Sequence, residues 1–85
     1  MPEISSFYGI VISMFFSDHN PPHFHVRYQS YEATIDIATG AIKGTLPPRV
    51  ISMVSEWLDQ HREELINNWE RMRCYQPFDK ISPLE

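Results

Sequence analysis

Two neighbouring segments alternate between apolar and polar residues, and this pattern constrains the fold more than any other. The segments are 23–29 and 31–37, separated by a short turn at Gln29 and Ser30. Paired across that turn, they form an apolar face of Phe24, Val26, Tyr28, Tyr31, Ala33 and Ile35 and a polar face of His23, His25, Arg27, Glu32, Thr34 and Asp36. Because a slip of one residue would mix the two sets, the pattern predicts an antiparallel hairpin in a single register.

Two further strands are predicted, one on each side of the hairpin. The apolar run at 6–16 contains β-branched residues and fits a strand that is covered on both faces. After a second turn, residues 41–44 return as a strand that would place Lys43 opposite Asp36. The sequence therefore predicts an antiparallel meander of about four strands.

Residues 47–73 predict a long helix, because apolar side chains recur there at helical spacing. The two prolines that open this segment suit a first helical turn, where a backbone N–H has no partner. A straight helix of this length would span about 40 Å, so we expect a bend near Asp59 to Arg62.

Residues 74–85 are expected to form an extended tail that lies back on the domain. The predicted fold class is α+β, a single domain over 1–85 with the helix packed on one face of the sheet.

Composition limits the classes of function. The chain has 85 residues and a formal net charge of −4 at pH 7, so general binding to nucleic-acid phosphates is disfavoured. Cys74 is the only cysteine, which excludes an intramolecular disulfide and suits a reducing compartment. The interrupted apolar run near the N-terminus predicts neither a signal peptide nor a membrane span. A cytoplasmic location without membrane attachment is therefore expected.

The segment 18–25 reads Asp-His-Asn-Pro-Pro-His-Phe-His and holds the residues best suited to chemistry. His23 and His25 are two apart on a predicted strand, so their imidazoles share a face and can bind one metal ion. Asp18 or His19, at the far end of a loop stiffened by two prolines, offers a third ligand. Two histidines and one carboxylate leave open positions on the metal, an arrangement used for Fe and compatible with Zn, Ni or Mn.

Two neighbours extend this candidate cluster. Asp36 lies opposite His23 in the predicted register and is a candidate acceptor that would orient the histidine ring. Arg27 shares a face with His25, and either pairs with Glu32 across the strands or holds an anion. A polar sheet face is also typical of any half-solvated sheet, so a purely structural use of these residues stays open.

The segment 18–26 is the most specific of several that carry a family resemblance. The others are 9–14, 33, 36–37, 44–47, 57, 65–69 and 81–84. Together they resemble the small bacterial family called domain of unknown function 4160, over nearly the whole chain. The resemblance implies a stand-alone protein often encoded beside another small domain of unknown function, as in a toxin–antitoxin-like pair. It assigns no catalytic residue.

Three functions are open at this stage. The first is an interaction module in a two-protein, toxin–antitoxin-like system, with a small protein encoded nearby as partner, or a homodimer. The second is a metal-dependent hydrolase or nuclease, in which His23 and His25 bind the ion and Asp18 or His19 completes the set. The third is a metal-free binder of anions or nucleotides on the face of His23, His25 and Arg27.

Overall fold

The fold is a five-stranded antiparallel meander followed by one long helix. The computed structural model describes residues 2–16 and 18–85. The elements are β1 (Glu3–Phe7), β2 (Ile10–Ser13), β3 (His23–Tyr28), β4 (Tyr31–Asp36), β5 (Ile42–Gly44) and α1 (Pro48–Arg73). Each strand pairs with its neighbour in the chain, in the order β1-β2-β3-β4-β5. The predicted α+β class is confirmed, with one strand more than expected.

The β3–β4 hairpin has the register that the alternation predicts. Its pairs run from His23 and Asp36 at one end to Tyr28 and Tyr31 at the other. The apolar side chains in the middle of the hairpin are buried, and they are Phe24, Val26, Ala33 and Ile35. The polar face of the hairpin therefore points away from the hydrophobic core.

The prediction of a single strand over 6–16 was wrong, because the chain turns back within this run, between β1 and β2. Tyr8 and Gly9 form the turn between β1 and β2, with φ of 50° and 80°. Positive φ at both central residues gives a turn whose twist matches that of the flanking strands. The run is largely apolar because both strands bury side chains, such as Phe7 from β1 and Ile10 from β2.

The β5 strand enters the sheet with Lys43 opposite Thr34, and the predicted pairing of Lys43 with Asp36 was wrong. The turn before β5 is the cause. The backbone N–H of Asp36 donates to the carbonyl of Ala41 at 2.9 Å. The Asp36 carboxylate also accepts the backbone N–H of Thr39 at 2.9 Å. The backbone N–H and the carboxylate of Asp36 are thus both engaged in hydrogen bonds of the turn. Lys43 pairs instead with Thr34, two residues before Asp36 on β4.

The α1 helix packs on the apolar face of the sheet and bends once. The ring of Trp57 lies 5.6 Å from that of Phe7 and 5.8 Å from that of Phe24, between centroids. The bend is at His61, whose φ of −124° and ψ of 21° are not helical, inside the range expected from the sequence. A straight helix of 26 residues would be about 39 Å long, whereas the longest extent of the molecule is 33 Å. No helix in the described residues is both long and apolar enough to cross a bilayer.

The tail at 74–85 lies back on the domain, as expected. Ile81 is buried, and its backbone N–H donates to the carbonyl of Ile4 in β1 at 2.8 Å. The side chain of Asn68 donates to the backbone carbonyl of Asp79 at 2.8 Å and accepts the backbone N–H of Asp79 at 3.0 Å. The tail therefore closes one edge of the core and leaves the polar face of the sheet uncovered.

Gly44 is a position at which the sheet has no room for a side chain. Its φ is +117°, and a Cβ would lie 2.6 Å from the Glu32 carbonyl and 2.8 Å from the Cα of Ala33. Gly40 also has a positive φ, of +77°, but a Cβ there would meet nothing closer than Leu58 at 3.9 Å.

We expect Gly44→Ala to lower the free energy of unfolding by about 2–4 kcal/mol and Gly40→Ala by about 1 kcal/mol. Urea denaturation measures both losses, and equal losses would contradict the steric argument.

Candidate metal centre

Asp18, His23 and His25 converge on one point beside the polar face of the sheet. The Nε2 atom of His23 lies 3.0 Å from Oδ2 of Asp18, and Nε2 of His25 lies 3.1 Å from the same oxygen. The three ligand atoms all lie within 4.8 Å of one another. A single ion needs this arrangement, in which each of three residues offers one donor atom to a shared position.

The strand positions the two imidazoles, and the loop before it positions the carboxylate. His23 and His25 are alternate residues of β3, so they share a face, and their ring centroids are 5.3 Å apart. The loop is fixed to the end of β4 because the backbone N–H of Ile37 donates to the Pro22 carbonyl at 3.0 Å. Its Asn20–Pro21 peptide bond is cis.

A backbone carbonyl determines which nitrogen of His23 is available as a ligand. Nδ1 of His23 lies 2.7 Å from the carbonyl oxygen of Pro21. A carbonyl only accepts hydrogen bonds, so Nδ1 carries the proton and donates it. In the neutral ring, Nε2 then holds the lone pair. This lone pair faces an oxygen of Asp18 at 3.0 Å, and the two atoms attract each other only through a shared proton or cation.

Aromatic side chains that the sequence analysis did not identify fix the rings of the two histidines. Phe15 packs edge-on against His25, with ring centroids 4.4 Å apart and planes at 90°. Trp69 of α1 lies 5.3 Å from the His23 ring. The His23 side chain is only 14% exposed, against 32% for His25. The site is thus held by packing on one side and accessible on the other.

The Asp18 carboxylate is a charged group held in a partly buried position. Burial has the largest single effect and raises the pKa of Asp18, but it is outweighed by a hydrogen bond from His25, the backbone N–H of His19 and the positive charges of His23 and His25. The pKa of Asp18 therefore lies below its usual value of 3.8. The stability that this carboxylate contributes is present above its unfolded-state pKa and is lost as the pH falls through the lower folded-state pKa.

Asp18, and not His19, completes the group that could hold an ion. The His19 side chain is 89% exposed, and its Nδ1 lies 3.3 Å from the other oxygen of Asp18. The contribution of His19 comes from its backbone N–H, which donates to that oxygen at 3.0 Å. This bond fixes the orientation of the carboxylate, so that its second oxygen faces the two imidazoles.

The other two predicted residues lie beside the centre without joining it. Asp36 is opposite His23 in register, but the His23 ring is oriented by the Pro21 carbonyl instead. The hydrogen bond from the Thr39 N–H is the main reason that the pKa of Asp36 lies below its usual value. Arg27 is paired in register with Glu32, yet their side chains form no ion pair in the described part of the chain.

Two adjoining pockets open along the polar face. The first, of about 310 Å³, contains the three candidate ligands together with Thr34, Asp36 and Lys43. The second, of about 290 Å³, is lined by residues that include Phe15, Arg27 and Glu32. His25, Thr34 and Lys43 line both pockets. The candidate metal centre is therefore at one end of a continuous groove.

The hydrogen bonds predict opposite tautomers for the two neutral histidine rings. His23 should carry its proton on Nδ1, which donates to Pro21, and His25 on Nε2, which donates to Asp18. Long-range ¹H–¹⁵N correlation spectra of the metal-free, ¹⁵N-labelled protein distinguish the two forms directly. His25 serves as the internal control in the same spectrum. A neutral His23 ring with its proton on Nε2 would contradict the hydrogen bond from Nδ1 to the Pro21 carbonyl.

The comparisons with known proteins identify a family. The family model described as a domain of unknown function, DUF4160, matches residues 9–70. No curated protein and no solved structure matches the chain. The matched residues include all three members of the candidate metal centre and every strand except β1. Because the match covers well over half of the 85 residues, the chain belongs to the DUF4160 family.

Proposed function

We propose that this protein binds one divalent transition-metal ion through Asp18, His23 and His25 and uses it to hydrolyse a substrate. The observation that carries the proposal is the convergence of three donor atoms, one of them the lone pair of a ring held by the Pro21 carbonyl. Histidines that bind metals usually donate their other N–H to such an acceptor. The site therefore combines the ligands with the contact that orients one of them.

The two distances from the histidine nitrogens to Asp18 fit an ion of this kind. Nitrogen and oxygen ligands bind such metals at about 2.0–2.2 Å. Two ligands at right angles around a metal are therefore about 3.0 Å apart, and two at a tetrahedral angle about 3.4 Å. The separations of 3.0 and 3.1 Å between the two Nε2 atoms and Oδ2 of Asp18 lie close to these values. At these two contacts an ion would hold the nitrogen and the oxygen at separations close to those already present.

The donor set supports a catalytic site over a structural one. Structural zinc sites are closed by four protein ligands, whereas catalytic sites keep a position open for water or substrate. Here three ligands lie beside a pocket of about 310 Å³. Imidazole and carboxylate donors suit Zn, Fe, Mn or Ni, and all of these ions lower the pKa of a bound water. In this proposal a water activated by the ion would be the nucleophile.

Titration of the tag-free protein with Zn²⁺ or Mn²⁺ in a calorimeter tests the proposal. We expect one ion per chain, with affinity lowered at least about 100-fold in Asp18→Asn, His23→Gln and His25→Gln, because each replaces a carboxylate or imidazole donor by a weakly binding amide. His19→Ala and His61→Ala are the matched controls, since each removes an imidazole outside the cluster. Their affinity should equal that of the wild type.

Two outcomes of this titration would reject the metal centre. One is a wild-type protein that binds no ion and gains no thermal stability when Zn²⁺, Mn²⁺, Fe²⁺ or Ni²⁺ is added. The other is a loss of affinity in His19→Ala as large as that in His23→Gln. Circular dichroism of each variant separates loss of a ligand from loss of the fold.

A second candidate function is the interaction module of a two-protein, toxin–antitoxin-like system. It is favoured by an aromatic cluster on the surface, made of Phe16, Tyr75 and Phe78. Phe16 and Tyr75 are 40% and 70% exposed, and their stacked rings have centroids 6.1 Å apart. Phe78 lies 6.3 Å from Phe16. Aromatic residues are enriched at the centres of protein interfaces, so this cluster is a candidate contact for a small partner protein.

Co-expression with the protein encoded by the adjacent gene tests this second candidate. We expect a complex in size-exclusion chromatography with light scattering, weakened at least about tenfold by Phe16→Asp because it places a charge at the aromatic cluster. Tyr8→Asp is the control, since it changes an exposed aromatic residue in a turn that accepts Asp. A wild-type protein that stays alone at micromolar concentrations of its neighbour would reject the candidate.

A further inference from the structure

We infer that the substrate of the metal centre is a phosphate ester, and that Lys43 holds its phosphoryl group. This inference rests on the proposed function, because it needs a metal ion at Asp18, His23 and His25. It adds the chemical class of the substrate and a binding residue outside the metal ligands.

The sheet places Lys43 within reach of the metal centre. His25 faces Thr34 on β4, and Thr34 faces Lys43 on β5, so the three residues form one row across the polar face. Neighbouring strands are about 4.8 Å apart, which puts the Cα atoms of His25 and Lys43 about 10 Å apart. A lysine side chain can cover much of that distance. Lys43 accordingly lines the pocket that contains the candidate ligands.

The charge of Lys43 is available to a ligand. Lys43 is exposed and has no ion-pair partner among the described residues, whereas Lys80 pairs with Glu3 at 3.9 Å. Of the carboxylates beside Lys43, Asp36 accepts the backbone N–H of Thr39. Glu32 is two residues before Thr34, the partner of Lys43 on β4, and it is paired in register with Arg27 on β3. With a divalent ion bound at Asp18, the end of the groove near Lys43 carries an excess of positive charge.

A phosphoryl group fits these two cationic positions better than a carboxylate does. It has several terminal oxygens, so one can bind the metal while another accepts from the Lys43 ammonium, a point charge that proteins often use for phosphate. The Thr34 side chain lies between the two positions and offers a hydroxyl donor. A carboxylate has only two oxygens, so one of them would have to serve two of these three contacts, whereas a phosphoryl group offers a separate oxygen to each.

The reaction is a hydrolysis that balances without any further reactant. The oxygen of a metal-bound water forms a bond to phosphorus, and the ester P–O bond breaks. The leaving alcohol oxygen takes up a proton supplied by the attacking water. The organic group of the ester then lies along the second pocket, against Phe15 and Arg27.

Calorimetry with inorganic phosphate on the Zn²⁺-loaded protein tests the role of Lys43. We expect Lys43→Gln to weaken phosphate binding at least about tenfold, which corresponds to the loss of one charged contact, and to leave Zn²⁺ affinity unchanged. Lys80→Gln, which removes the other lysine of the chain, should change neither. With p-nitrophenyl phosphate and bis(p-nitrophenyl) phosphate as substrates, Lys43→Gln should lower kcat/KM by a similar factor. The rate with p-nitrophenyl acetate, which has no phosphoryl group, should not fall.

The outcomes separate the two proposals. If the wild type binds no metal, both the proposed function and this inference fail. If metal binds but phosphate does not, or if Lys43→Gln binds phosphate as tightly as the wild type, the inference fails and the metal centre stands. Phosphate binding of equal affinity with and without metal would overturn the joint role of the ion and Lys43.

Discussion

The hydrogen bond from Nδ1 of His23 to the Pro21 carbonyl determines what the cluster can do. At 2.7 Å it fixes the proton on one nitrogen and leaves the lone pair of the other directed at Asp18. With the opposite tautomer, His23 would only donate to the carboxylate, and the cluster would be an ordinary set of hydrogen bonds. The bond exists because Pro21 lies in a loop and not in the sheet, so its carbonyl is free of the strand ladder. The chemistry of the site therefore depends on the path of the loop as much as on the identity of the ligands.

The fold restricts chemistry to one face of the sheet. The α1 helix and the tail cover the apolar face, where Trp57 contacts both the first hairpin and the second, and its Nε1 donates to the Ser82 carbonyl at 2.9 Å. Among the described residues, no helix covers the polar face in this way. The candidate centre lies where the two regions meet, since His23 contacts the buried Trp69 while also facing the pocket. A partly buried position of this kind strengthens electrostatic interactions and still admits a ligand.

The sequence predicts those parts of the structure that depend on the periodicity of apolar residues. It does not predict strand boundaries or strand register where these depend on the conformation of a single turn. The alternation over 23–29 and 31–37 specifies the β3–β4 register, because both strands carry a sharp division of polarity. The run at 6–16 has no such division, so the turn between β1 and β2 inside it could not be distinguished from a continuous strand, although Gly9 lies in that turn. The predicted pairing of Lys43 with Asp36 was wrong because the register of β5 depends on the turn around Thr39.

In the site, the shared face of His23 and His25 follows from their spacing alone. The Pro21 carbonyl does not, since every residue has a carbonyl and only the backbone path shows which one meets the ring.

The choice between a metal centre and a hydrogen-bonded cluster turns on the number of imidazoles that meet one oxygen. A structural role for Asp18 would be satisfied by His25 and the backbone N–H of His19, which both donate to it. The second imidazole, His23, adds no donor in its neutral form, because its proton is engaged with Pro21. Its lone pair at 3.0 Å from a carboxylate oxygen is unfavourable unless a positive charge is shared between them. A proton can supply that charge, but a metal ion supplies it to all three donors at once. Proton and metal would therefore compete for one position, and the three donors together form a group that could hold an ion.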